Sequence, residues 1–186
     1  SGQSFATFNA SLFESDENKV ISSWKTSADL GVPASQNNIG VTMSEGQILP
    51  KDEAQGAELV KIAAENGSNE AIFNYGLMLL QARGVEENKR GAAKLFKIAS
   101  DKNYPKAMLN LGIMFLKGDI VKHAPADGLK LIKKAADQFN DSDAQFALGL
   151  ILHQGIGTAP NAQESQKYFA LSAKNGNKTA ELYMTK

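Results

Sequence analysis

Residues of the types that catalyse reactions or bind metals are few in this sequence and widely spaced. The two histidines, His123 and His153, are 30 residues apart, and the chain has no cysteine. A zinc site draws several ligands of these types, and its histidines commonly stand a few residues apart. We therefore expect no metal ligands, no cofactor-binding residues, no disulfide and no cysteine nucleophile.

One short motif pairs a nucleophile with a base. Ser22 and Lys25 form a Ser-x-x-Lys motif, which is the pair that penicillin-recognising serine enzymes use. Serine and lysine are common in this chain, so one such match is expected by chance. No Gly-x-Ser-x-Gly nucleophile elbow accompanies it. The sequence therefore predicts a protein that is not an enzyme and has no catalytic residues.

Charge and hydropathy exclude two further classes of protein. The 186 residues carry 20 basic and 20 acidic side chains, whereas a dedicated nucleic-acid-binding protein needs a basic surface. No stretch approaches the length of a membrane-spanning helix, which is about 18 apolar residues or more. The charges are unevenly distributed, because residues 1–60 hold 3 basic and 8 acidic side chains and residues 89–134 hold 11 and 3.

Glycines reveal an internal repeat with spacings of 36 and 37 residues. The first series comprises Gly40, Gly76, Gly112 and Gly149. The second series follows apolar helical runs and comprises Gly31, Gly67, Asn103, Asn140 and Gly176. The third series comprises Gly56, Ala92, Gly128 and Ser165. Glycine and asparagine after a helix predict left-handed C-caps. A mid-helix glycine costs about 0.5–1 kcal/mol relative to alanine, so the other two series predict close approach of helix backbones.

Between the caps, apolar residues recur with the spacing of helices, and the five prolines fall at predicted helix starts or turns. Each unit is therefore predicted to contain a first helix, a glycine-bearing turn, a second helix and a capped turn. The first helices are predicted near 34–45, 70–82, 106–117 and 143–154. The second helices are predicted near 16–29, 51–65, 87–101, 125–138 and 161–174, with half-units near 4–10 and 178–186.

The residues of each unit resemble the Sel-1-like repeat, a relative of the tetratricopeptide repeat. That family has an alanine and an aromatic residue before a Leu-Gly pair, then a Gly-x-Gly-Val turn, and Ala-Ala near the end of the second helix. The matching stretches here are 71–76 (Ala-Ile-Phe-Asn-Tyr-Gly), 107–112 (Ala-Met-Leu-Asn-Leu-Gly) and 144–149 (Ala-Gln-Phe-Ala-Leu-Gly). The turns that follow contain Gly84-Val85, Gly118 and Gly155-Ile156-Gly157, and the second helices end with Ala63-Ala64, Ala99-Ser100, Ala135-Ala136 and Ser172-Ala173.

The resemblance implies an all-α fold, a right-handed α-solenoid of about five helix-turn-helix repeats of 36–37 residues. Residues 1–186 would form a single solenoid, with clear repeats over 54–180 and a terminal half-repeat over 178–186. Residues 1–53 would be divergent repeats or an N-terminal cap. First helices would line the concave face, and each unit would bury its apolar face against its neighbours.

Resemblance to tetratricopeptide stacks also implies which positions of the first helices face the groove. These are the positions three before the key glycine, one after it and four after it. In the first unit Val41 and Ser44 share this face. The predicted partner-binding residues are Asn37, Phe73, Leu77, Leu80, Leu109, Ile113, Leu116, Phe146, Leu150 and His153. The alternative is that neighbouring units bury these side chains as part of the core.

The second helices carry many lysines, among them Lys94, Lys97, Lys130, Lys133 and Lys134. These side chains are expected mostly on the convex side. They are interpreted as a solvated face, and the alternative is a docking surface for an acidic partner.

The resemblance implies a non-enzymatic scaffold or adaptor that binds another protein as an extended segment or an amphipathic helix in the groove. One alternative is a bacterial toxin inhibitor or immunity protein. Another is an enzyme acting on β-lactams or peptidoglycan through Ser22. Bacterial Sel-1-like proteins are often exported, so the resemblance favours the periplasm or an exported location. The sequence identifies neither the partner nor the oligomeric state.

Overall fold

The structure is a computed structural model that describes residues 19–184, and these residues are helices joined by turns. Residues 19–29 belong to the first helix, α1. The helices that follow are α2 (Pro33–Glu45), α3 (Glu53–Glu65), α4 (Asn69–Gln81), α5 (Lys89–Asp101), α6 (Pro105–Lys117), α7 (Pro125–Gln138), α8 (Ser142–Gln154), α9 (Ala162–Lys174) and α10 (Lys178–Glu181). The all-α helix-turn-helix prediction is confirmed, while the predicted half-unit near 4–10 lies outside the described residues.

The chain divides into two compact units, and the boundary falls between Glu87 and Asn88. In the first unit, α3 packs against both α2 and α4, and α2 also contacts α4. In the second unit, which holds α5 to α10, each helix packs on the next and α6 also contacts α8. Within each unit, first helices therefore lie beside first helices, as stacked helix pairs require.

Short polar side chains begin most of these helices. A side-chain oxygen three residues ahead accepts a backbone N–H in the first turn of six helices, and such a cap contributes about 1 kcal/mol. The capping residues are Asp52, Ser68, Asn88, Asp141, Asn161 and Asn177. The remaining three helices after α1 begin with Pro33, Pro105 and Pro125, where the missing N–H costs no hydrogen bond.

The predicted left-handed caps are confirmed at all five positions of the second series. Their φ angles are 79° at Gly31, 88° at Gly67, 64° at Asn103, 51° at Asn140 and 92° at Gly176. Glycine and asparagine enter this conformation at the lowest cost. Each second helix therefore ends where its sequence contains one of these two residues.

The first and third glycine series meet each other where a first helix crosses the following second helix. A Cβ placed on Gly40 would lie 2.6 Å from the carbonyl oxygen of Gly56, and one on Gly112 would lie 2.8 Å from that of Gly128. At Gly149 the partner is Ser165, whose hydroxyl donates to the Gly149 carbonyl at 2.8 Å. The predicted close approach of backbones is confirmed at the two glycine–glycine crossings, because even a single Cβ there would collide with the backbone of the other helix.

Each unit has its own apolar core, drawn from several consecutive helices. The core of the first unit is built on Ala57, Val60, Ala63, Ala71 and Met78. The core of the second unit contains Met108, Ile132, Ala135, Ala136, Ala144, Leu148, Ile151, Leu152 and Tyr168. Since α6, α7, α8 and α9 all contribute to the second cluster, no single helix pair buries its apolar face alone. Within residues 19–184, none of the helices combines the length and apolar character needed to cross a membrane.

Candidate protein-interaction surface

In the second unit the predicted groove residues lie on two neighbouring helices, α6 and α8. Their spacing of four and then three residues puts those of one helix on one face. We call them the first-helix strip, which comprises Leu109, Ile113, Leu116, Phe146, Leu150 and His153. The three α6 side chains pack against the core while part of their surface remains exposed. Leu150 is partly exposed and His153 is exposed, so the strip offers apolar surface at the protein exterior.

In the first unit the corresponding residues on α2 and α4 differ in accessibility. Leu77 and Leu80 are partly exposed, but Asn37 is only 2% exposed and Phe73 only 6%. Asn74 donates its side-chain amide to the Asn37 side-chain oxygen at 2.9 Å. A buried amide needs such a partner, so the pair ties α2 to α4. Neither Asn37 nor Phe73 presents surface to a partner in this structure.

An aromatic cluster closes one end of the first-helix strip. The ring centroid of Phe146 lies 5.8 Å from that of Phe169 and 5.3 Å from that of Tyr183. These distances are typical of favourable tilted and edge-to-face pairs. Tyr183 is not among the predicted partner-binding residues, although it stands 37 residues after Phe146, which is one repeat length. It therefore occupies the groove register of the terminal half-repeat.

A polar network joins α7 to α9. Lys133 donates to the Tyr168 hydroxyl at 2.8 Å, and that hydroxyl donates to Asp137 at 2.8 Å. Lys133 also forms an ion pair with Asp137 at 2.9 Å. Hydrogen bonds to Tyr168 and Asp137 raise the pKa of Lys133. Burial alone raises the pKa of Asp137, but hydrogen bonds from Lys133 and Tyr168 and the nearby lysine charges hold it below its usual value.

The contacts among Lys133, Asp137 and Tyr168 give this network a structural role, and the directions of the two pKa shifts are consistent with a stable ion pair. A lysine whose pKa is raised and an aspartate whose pKa is lowered both remain charged near neutral pH, so their ion pair is present there. The hydroxyl of Tyr168 is occupied by both partners. The three side chains therefore fasten two successive second helices to each other.

The remaining candidate chemical groups lie at the surface of the protein. Ser22 and Lys25 both lie on α1 and are exposed, and His123 and His153 are exposed as well. Across residues 19–184 no group of three or more histidine, aspartate or glutamate side chains is arranged to hold a metal ion.

The sequence profile of the Sel1 repeat matches this chain over residues 33–68, 69–104, 105–138 and 142–177. Each match spans one first helix and the second helix that follows it, beginning with α2 and α3. Among curated proteins there is no significant match.

Solved structures resemble the chain more closely in fold than in sequence. A Sel1 repeat protein from Oxalobacter formigenes is 26% identical with a TM-score of 0.77, over 92% of this chain and 73% of that one. The protective antigen c5321 of uropathogenic Escherichia coli strains, which has an SLR fold, is 27% identical with a TM-score of 0.75. That alignment covers 86% of this chain and 34% of the antigen, so the chain spans about a third of the antigen's length.

Sel1 repeat proteins are generally non-catalytic scaffolds that mediate protein–protein interaction. The four profile matches cover most of the chain, and the helix pairs, caps and glycine crossings recur in the same register. This chain belongs to the Sel1 repeat family.

Proposed function

We propose that this protein is a non-enzymatic scaffold that binds a segment of another protein along the first-helix strip. The observation that carries the proposal is the row of partly exposed apolar side chains on α6 and α8, which share one register. Contiguous exposed apolar surface on a soluble protein commonly marks an interaction site. His153 lies at the end of this row and is exposed, so it adds a polar contact beside the apolar ones.

The strip suits a partner with a few regularly spaced apolar side chains. An extended segment or one face of an amphipathic helix meets that requirement. Fully burying one large apolar side chain contributes about 1.5–3 kcal/mol. Two or three such anchors contribute about 3–9 kcal/mol in total before the cost of association is subtracted, so micromolar affinity, about 8 kcal/mol, requires further contacts along the bound segment. Phe146 is already covered by Phe169 and Tyr183. It therefore supports the strip from within, and Ile113 and Leu150 provide the apolar surface that the side chains of the partner contact.

The test compares partner capture by two matched variants of the whole chain. The strip variant combines Ile113→Gln with Leu150→Gln, and the control is Ile98→Gln. Ile98 lies on α5 outside the strip and is 46% exposed, so the control makes the same chemical change on another surface. Affinity capture from the native organism, followed by mass spectrometry, should recover the same partner with the wild-type chain and with the control.

The strip variant should lose that partner while its far-UV circular dichroism spectrum remains helical. Retention of the partner by the folded strip variant, or loss with the control as well, would show that the strip is not the binding surface.

Two further measurements test the alternative functions, an immunity protein and an enzyme. Stoichiometric inhibition of a toxin would identify an immunity protein. Saturable turnover of a β-lactam or a peptidoglycan fragment that Ser22→Ala abolishes would identify an enzyme.

A further inference from the structure

The second unit contains a concave pocket between α5 and α6, beneath the turn that follows α6. Its floor is apolar and comprises Ala93, Leu111, Phe115, Ile120 and Val121. The cavity volume is about 330 Å³, which lies at the lower end of the range for ligand pockets. We call it the α5–α6 pocket. Its size suits one or two large apolar side chains of a bound segment.

The rim of the α5–α6 pocket is basic. Arg90, Lys94 and Lys97 line it from successive turns of α5, and no acidic side chain from residues 19–184 takes part in the lining. Lys97 is held by Asp101 at 2.8 Å. Arg90 and Lys94 are exposed, and neither pairs with a carboxylate among the described residues. Within the described part of the chain, two cations without a carboxylate partner therefore stand beside an apolar cavity.

The next repeat supplies an internal comparison. A second cavity of about 240 Å³ lies between α7 and α8, and its lining includes Leu129, Lys133, Leu148 and Glu164. Leu129 stands 36 residues after Ala93, and Leu148 stands 37 after Leu111, so the repeat architecture builds both cavities. Here, however, Glu164 adds a negative charge and Lys133 is engaged by Asp137 and Tyr168. The shape of the cavity recurs along the chain, while the unpaired positive rim belongs to the α5–α6 pocket.

We infer that the α5–α6 pocket binds an acidic segment of a partner protein that inserts one large apolar side chain into the cavity. Burial of that side chain supplies the hydrophobic free energy. Carboxylates on either side of it pair with Lys94 and with the guanidinium of Arg90, which can hold a carboxylate through two parallel hydrogen bonds. The complementary charges also accelerate association and set its dependence on salt.

This surface is separate from the first-helix strip. On α6, Leu111 and Phe115 line the pocket, whereas Leu109 and Ile113 belong to the strip. Residues two positions apart on a helix point in nearly opposite directions. The inference does not depend on the proposed function of the strip, and the two can fail independently.

The test measures binding of fluorescein-labelled synthetic peptides to the whole chain by fluorescence anisotropy. The first peptide has a single phenylalanine flanked on both sides by glutamates. In the second a serine replaces the phenylalanine, and in the third glutamines replace the glutamates. The protein variants are Arg90→Gln combined with Lys94→Gln, and the control Lys130→Gln. Lys130 is exposed on α7 and occupies the register of Lys94 one repeat later.

The first peptide should bind the wild-type chain, and each of the other two peptides should bind at least about tenfold more weakly. Loss of both rim charges should weaken the first peptide by about tenfold, with a smaller difference at high salt. The Lys130→Gln variant and the Ile113→Gln, Leu150→Gln variant should bind the first peptide as the wild type does.

Several results would overturn the inference. One is absence of binding of the first peptide to the wild-type chain. Another is equal binding of the serine peptide, which would indicate attraction between charges without use of the cavity. A third is unchanged binding after loss of Arg90 and Lys94. The last probe is the fatty acid dodecanoate, which combines an apolar tail with a single carboxylate. If the wild-type chain bound dodecanoate but not the first peptide, the pocket would be a lipid site and the inference would be wrong. Circular dichroism of each variant confirms that the changed surface residues leave the fold intact.

Discussion

At the scale of single residues, Ala82 departs from the pattern of its own repeat. The first helices α2, α6 and α8 are each followed by glycine in the left-handed conformation, at Gly46, Gly118 and Gly155 with φ of 69°, 71° and 71°. After α4 the same conformation is held by Ala82, with φ 54° and ψ 34°. The Cβ of an L-residue is crowded there, so this position stores strain that glycine would release.

Replacing Ala82 with glycine should therefore stabilise the protein. The expected gain is about 0.5–1 kcal/mol in the free energy of unfolding, measured by urea denaturation monitored by circular dichroism. The opposite change, Gly118→Ala, is the matched control. Its Cβ would meet the same strain and would also lie 2.7 Å from the Cβ of His123, so it should destabilise the protein. An Ala82→Gly variant no more stable than the wild type would show that this turn relaxes without cost.

At the scale of helices, the repeat depends on how closely a first helix crosses its second helix. Gly112 of α6 and Gly128 of α7 form one such crossing, and a Cβ on Gly128 would lie 2.6 Å from the Gly112 carbonyl oxygen. Alanine favours the helical state over glycine by about 1 kcal/mol. The crossing nevertheless contains glycine, because the packing of α6 on α7 requires the space.

The variant Gly128→Ala sets these two effects against each other. The added methyl group would press against the backbone of α6, and such overpacking costs about 1–3 kcal/mol. This cost should exceed the gain in helix propensity. We expect a lower midpoint of urea denaturation. The control is Lys130→Ala on the same helix, where the side chain is exposed and the midpoint should change little. A Gly128→Ala midpoint equal to or above that of the wild type would mean that α6 and α7 move apart without loss.

At the scale of the whole molecule, stability should be distributed along the array of repeats. In repeat proteins it is approximately a sum of terms for single repeats and for the interfaces between neighbours. The two compact units have separate core clusters, one centred on α3 and α4 and the other on α6 to α9. The zero net charge is likewise a sum, of an acidic N-terminal third and a basic middle.

Amide hydrogen exchange of Gly128→Ala should reveal this distribution. Protection should fall most in α6, α7 and α8, because these helices share the disturbed core, while α3 should keep most of its protection. Mass spectrometry of peptic fragments gives the comparison helix by helix. An equal loss of protection in α3 and α7 would instead indicate that the described chain unfolds as one cooperative body.

The sequence by itself determined the helices, their ends and their crossings. Caps, prolines and left-handed glycines act within a few residues, so their positions along the chain are sufficient to place each helix. The repeat carries these local features from one unit to the next. The close helix crossing at Gly112 and Gly128 recurs at Gly40 and Gly56. Membership of the family followed from the same periodic residues.

Only the tertiary structure decided which side chains of those helices remain accessible. Asn37 and Phe73 share the register of the first-helix strip yet are buried, and Tyr183 covers Phe146 from the end of the chain. Likewise, the tertiary structure places Arg90 and Lys94 beside the apolar lining of the α5–α6 pocket, where no described carboxylate pairs with them. Burial and charge pairing depend on neighbours that are distant in sequence, and a repeat pattern specifies the register of a residue without specifying what packs against it.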